Sequence, residues 1–94
     1  MAHKLVIQPE AERELEHAFH WYNEQRAGLG QEFLDCVDSV FARIRGNPDQ
    51  YAISYRSARL ALVRRFPFVI AYVLEGDTVS VIAVFHRHRD PDTW

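Results

Sequence analysis

The stretch that most constrains this chain is its last third, RRFPFVIAYVLEGDTVSVIAVFHRHRDPDTW, from Arg64 to Trp94. Two runs rich in Val, Ile, Phe and Tyr flank Glu75-Gly76-Asp77, the pattern of a β-hairpin. With Gly76-Asp77 as a two-residue loop, Leu74 faces Val79, Tyr72 faces Val81, Ile70 faces Ala83 and Phe68 faces Phe85. Val69 then faces Val84, and Ala71 faces Ile82, on the other side. Both faces are apolar. A one-residue slip would exchange the faces, but two-sided apolarity survives any register. Each face therefore needs a cover, and a chain of this length supplies one; a partner is expected on the other.

The 94 residues, 48% hydrophobic and 13% aromatic, suit one compact domain spanning residues 1–94. A single cysteine, Cys36, excludes an internal disulfide and points to the cytoplasm. Leu5-Val6-Ile7 is too short an apolar run for a signal-peptide core, and no stretch approaches the roughly 20 apolar residues of a membrane span. The net charge is −2, which argues against a general nucleic-acid binder, yet it is unevenly placed. Residues 1–50 carry nine acids against five bases, and residues 51–94 carry six bases against four acids. Any functional basic patch is C-terminal.

From the start, His3 to Gln8 reads as a short strand closed by Pro9, which then begins a helix with Glu10 and Glu12 at the positive end of its dipole. Ala11, Leu15, Ala18, Phe19 and Tyr22 form its apolar stripe, with Trp21 on the flank. Gly28 and Gly30 are expected to take left-handed conformations that reverse the chain into a second helix. There Phe33, Val37, Val40, Phe41 and Ile44 recur at helical spacing, and Gly46-Asn47-Pro48 ends the run. Residues 49–58 read as a loop anchored by Tyr51, Ile53 and Tyr55, before a strand over Arg59 to Val63. The expected fold is α+β, ordered β-α-α-β-β-β, with two antiparallel helices on one face of a small, mostly antiparallel sheet.

Three segments of this arrangement resemble the toxins of the RelE/ParE superfamily of bacterial toxin-antitoxin modules, in particular the ParE-like branch. These are WYNEQRAGLGQEFLDCV (Trp21 to Val37), the helix exit at Ile44 to Pro48, and the arginine, Phe-Pro-aromatic strand and His-x-x-Arg-Asp-Pro ending of the last third. The resemblance implies a toxin neutralised by an antitoxin encoded beside it, in a hetero-oligomer or with a dimer of the toxin. Phe68, Ile70, Tyr72 and Trp21 are the residues assigned to the antitoxin. ParE-like members poison DNA gyrase; RelE-like members cut messenger RNA on the ribosome; a third reading is a non-toxic binding module of the same fold. No cofactor is implied.

In the assumed register Phe66 lies opposite Arg87, Arg65 opposite His88 and Arg64 opposite Arg89. Arg64, Arg65, His86, Arg87 and Arg89 then gather at one end of the sheet as the candidate target-binding residues. Such a cluster is either a solvated edge neutralised by Asp90 and Asp92 or a surface for an anionic partner. For RNA cleavage His86 would take the 2′-hydroxyl proton and the arginines would stabilise the phosphate charge. A lysine-poor chain ending Asp92-Thr93-Trp94 departs from the lysine-rich, tyrosine-ended sites of RelE-like nucleases, which favours gyrase inhibition without catalysis. His17 with His20, and His86 with His88, have no third metal ligand at a recognisable spacing and read as surface histidines. Cys36 reads as a packing residue.

Overall fold

A computed structural model describes residues 3–88. The elements run β1 (Lys4–Ile7), α1 (Pro9–Gln25), α2 (Leu29–Gly46), a single 3-10 turn (Pro48–Gln50), β2 (Ile53–Tyr55), β3 (Ala58–Leu62), β4 (Phe68–Glu75) and β5 (Thr78–His86). The five strands order as β1-β5-β4-β3-β2. Only β1 runs parallel to its neighbour, pairing Lys4 with Thr78 through Ile7 with Val81. A parallel pair needs a crossover long enough to bring the chain back, and the two helices supply it.

The fold class expected from the pattern is the one observed, with one strand more. Ile53–Tyr55 pairs antiparallel with β3 where a loop was expected. Three residues are too few to show an alternation, and the turn that follows lacks the usual glycine. Arg56 and Ser57 both take positive φ, 52° and 67°, the geometry of a mirror-image hairpin turn built here from residues that ordinarily avoid it.

Both helical stripes point at the sheet. Ala11, Leu15 and Ala18 of α1 are buried, as are Phe33, Val37, Val40, Phe41 and Ile44 of α2, against Phe68, Ile70, Tyr72, Val79, Val81 and Val84. The helix reversal works differently from the expectation at one glycine. Gly28 is left-handed at φ 89°, whereas Gly30 lies inside α2, and a Cβ there would stand 2.5 Å from the Phe19 carbonyl oxygen. Gly30 lets the two helices approach, and its N–H donates to Asn23 Oδ1 at 2.8 Å.

Along the hairpin the expected register holds near the turn and then slips. Leu74 pairs with Val79 and Tyr72 with Val81, but a bulge follows, and Ala71 pairs with Ala83, Ile70 with Val84, Val69 with Phe85 and Phe68 with His86. Ile82 is the extra residue. The bulge brings Val84 to the helix side and moves Phe85 to the other face, where it joins Ala58, Val69 and Ala71 in a second, smaller cluster. The two-sided apolarity is present, but this second face is not bare. Its centre is buried, and Leu60, Val73, Ile82 and Ala83 form a half-buried margin.

Candidate functional site

The basic end of the sheet is shaped by Phe66. Its ring stands 5.3 Å from Phe33 and 4.9 Å from Tyr22, and it is 8% exposed. Burying a phenyl side chain stabilises by roughly 1.5–3 kcal/mol, enough to offset a left-handed residue, which costs about 1–2 kcal/mol. Arg65 is that residue, at φ 72°. On either side the chain is tied down: Val63 N–H donates to the Phe68 carbonyl at 2.9 Å and Arg87 N–H to the Pro67 carbonyl at 2.8 Å.

The cross-strand pairs expected here are therefore corrected. Residues 64–67 are a loop and not a continuation of β4, so Phe66 turns inward and does not face Arg87, and Arg65 does not face His88. Arg65 reaches α2, where its Nη2 donates to Glu32 Oε1 at 2.8 Å. Arg26 Nη2 donates to the other oxygen of the same carboxylate at 3.2 Å. Hydrogen bonding from Arg65, then the charge of Arg26, hold the Glu32 carboxyl below its ordinary range. The same carboxylate raises the Arg65 guanidinium.

The fold does bring Arg64, His86, Arg87 and His88 to one end of the sheet, through the pairing of Phe68 with His86. Arg64, Arg87 and His88 are exposed and His86 is half-buried. His88 N–H donates to His86 Nδ1 at 3.3 Å. The His86 ring lies 5.5 Å from Phe68 and 5.2 Å from His88. Arg89, Asp90, Asp92 and Trp94 lie outside the described residues.

Of the residues assigned to an antitoxin, Ile70 and Tyr72 are corrected: they have no exposed surface, because the helix-facing side of β4 is the side the helices cover. Phe68 is 9% exposed and lines a groove at the edge of that layer. Tyr72 is instead a structural clamp. Its hydroxyl donates to the Pro48 carbonyl at 2.6 Å, beside Arg59, which donates to the Tyr51 carbonyl and pairs with Asp49 at 3.4 Å. Burial pushes the Tyr72 phenol up to about 12. Trp21 fits its assignment better, since it is 53% exposed.

Trp21 borders a groove of about 470 Å³ between α1 and the end of β4 and β5, lined by Glu14, His17, Ala18, Trp21, Tyr22, Pro67, Phe68 and His86. Burial raises the Tyr22 phenol above its ordinary value. Sequence reasoning missed Glu14, His17 and Pro67 as part of one site. The signal was there in part: Glu14, Ala18 and Trp21 lie at i, i+4 and i+7, a line beside the main stripe. His17 belongs to this wall and not to open solvent alone. Glu32 had no such signal. Cys36 is half-buried and packs against the core. Among the described residues no group of three or more His, Cys, Asp or Glu is placed to hold a metal, and no helix is long and apolar enough to cross a membrane.

A family model described as "ParE toxin of type II toxin-antitoxin system, parDE" matches residues 5–91. Among solved structures, the chain is similar to one titled "Chromosomal ParDE TA system from P. aeruginosa", at 13% identity and a TM-score of 0.80, over 90% of this chain and 96% of that one. At that identity the likeness concerns the fold. No curated protein matches.

Proposed function

The chain belongs to the ParE toxin family of type II toxin-antitoxin systems, and from that premise we propose that it is a cytoplasmic, single-domain toxin that inhibits DNA gyrase by surface contact and is neutralised by a cognate antitoxin. The observation that carries this reading is the family match across nearly the whole chain. Inhibition by contact needs an exposed, chemically distinctive surface and no catalytic group. The basic end supplies it with Arg64, His86 and Arg87, joined in sequence by Arg89. An RNA-cleaving site would instead draw several cations around one base, and here Arg65 is engaged with Glu32.

The antitoxin is proposed to place an apolar segment in the groove beside Trp21, and a further segment over the Leu60, Val73 and Ile82 margin on the other face of the sheet. Its affinity then comes from apolar burial, at roughly 25 cal/mol per Å², more than from exposed ion pairs, so moderate salt leaves the complex intact. Purified protein, alone and with the product of the adjacent gene, should be assayed for gyrase supercoiling and for messenger RNA cleavage on translating ribosomes. Inhibition of supercoiling that the partner abolishes is the expected result. Ribosome-dependent cleavage with unimpaired supercoiling would overturn the gyrase assignment, and normal growth under strong induction without the partner would overturn the toxic role.

A further inference from the structure

Arg64 and Arg65 are adjacent in the chain, yet the fold gives them different surroundings. Phe66 has to turn into the Tyr22–Phe33–Phe68 cluster, and the chain reverses at Arg65 with φ 72° to let it. The reversal carries the Arg65 side chain to the first turns of α2, where Glu32 accepts from it at 2.8 Å. The second oxygen of Glu32 accepts from Arg26. One carboxylate thus binds two guanidinium groups, each through its own oxygen. Arg64 and Arg87 are both exposed, and among the described residues neither forms an ion pair.

We infer that Arg65 is a positioning residue, engaged with Glu32 at the surface, which steadies the Arg64–Pro67 loop that Phe66 reverses, so that Arg64, together with Arg87, carries the contact to an anionic patch on the target. This rests on the reading of the basic end as the target surface. It divides a pair of exposed arginines that look equivalent in sequence into one held by Glu32 and one left to face the partner. It also makes Glu32, 33 residues away, part of the device that decides which cation is presented. Exchanging Arg for Lys is tolerated at position 65, where a point charge can still reach a carboxylate. At position 64, where planar donors meet an anionic surface, it is not.

Two measurements on the full chain test this. Nitrogen-15 NMR of the free protein should show the Arg65 guanidinium with slowed rotation and separate Nη signals, which average in Glu32→Gln, while Arg64 averages in both proteins. Rapid averaging at Arg65 in the wild type would overturn the inference whatever the protein's target proves to be. In parallel, growth arrest and supercoiling inhibition are titrated for Arg64→Ala, Arg64→Lys and Arg65→Lys, with melting temperatures recorded for each. Loss of a charge-assisted contact should weaken Arg64→Ala by roughly 10-fold or more at unchanged melting temperature. Arg65→Lys should stay close to wild type, and Arg64→Lys should not. If Arg65→Lys loses as much potency as Arg64→Ala, Arg65 touches the target and the division fails. A wild-type protein that arrests growth without inhibiting gyrase would instead defeat the gyrase reading, and the growth titration and NMR would still decide the inference.

Discussion

The two faces of the sheet are built from the same strands and share an apolar alternation, yet they hold different residues and tolerate different things. On the helix side Ile70 and Tyr72 of β4 are fully buried in one core with Phe33 and Ile44 of α2. On the other side the residues of full burial are Ala58 and Ala71, with Val69 and Phe85 nearly so, and the margin of Leu60, Val73 and Ile82 stays half-buried. Most large side chains are placed where a second layer of the same chain can cover them. Apart from Phe85, small ones occupy the centre of the face without helices. The stability of the domain is therefore concentrated on one face, and the other is free to vary its margin toward a partner.

The largest expected effect separates the faces directly. Phe33→Ala empties a site at the meeting of both helices and the sheet and should destabilise by about 3–5 kcal/mol. Ile82→Ala, at the bulge on the far margin, removes a half-buried side chain and should cost much less. Urea unfolding of the two variants reads the difference; equal losses would show that the second face is as tightly packed as the first.

Gly30→Ala comes next. A methyl group there meets the Phe19 carbonyl oxygen at 2.5 Å and its ring at 2.8 Å, and overpacking of this kind typically costs about 1–3 kcal/mol. Gly46→Ala is the control, since nothing lies within 4 Å of its Cβ position, and in that helical position alanine should be neutral or stabilising.

A smaller loss is expected for Tyr72→Phe, which leaves the Pro48 carbonyl without its donor and should cost about 1–2 kcal/mol. It also carries a pH signature. The Tyr72 phenol ionises near 12 in the folded protein against an ordinary 10.0, so between those values the unfolded chain holds fewer protons and stability falls as pH rises. The contribution is complete below pH 10.0 and is lost on approach to 12. Wild-type protein should lose stability across that window, and Tyr72→Phe should lack this component; identical alkaline profiles would show that the phenol is not the cause.

The smallest effect, a gain, belongs to the β2–β3 turn. Ser57 sits at φ 67°, so Ser57→Gly relieves a left-handed strain and should raise stability by a few tenths to about 1 kcal/mol in a thermal melt. A loss would show that the serine side chain supports the turn.

These cases mark where the chain was legible. Both helices, the hairpin turn at Gly76 and the burial of Phe33, Val37, Val40 and Ile44 follow from periodicities within single elements, because one face of a helix or strand meets water and the other does not. Trp21 was visible as an aromatic beside a stripe that did not need it. The groove it borders was not, since Glu14 and His17 acquire meaning only when Pro67, Phe68 and His86 arrive from another element. The assignment of Ile70 and Tyr72 to a partner went wrong because alternation shows that two faces are apolar without showing which one the helices will cover.

By itself, then, the sequence determined the element types, the order in which they follow one another and the apolar pattern that forces them into layers, since these depend on neighbours within a few residues. The tertiary structure decided what requires two distant segments at once. It placed the bulge at Ile82 that sends Val84 inward and Phe85 outward, made Gly30 a point of helix contact, and drew Arg65 to Glu32 because burial of Phe66 reverses the backbone. Each of these is a choice between arrangements that local propensity leaves nearly equal, and packing, which acts over the whole molecule, selects one.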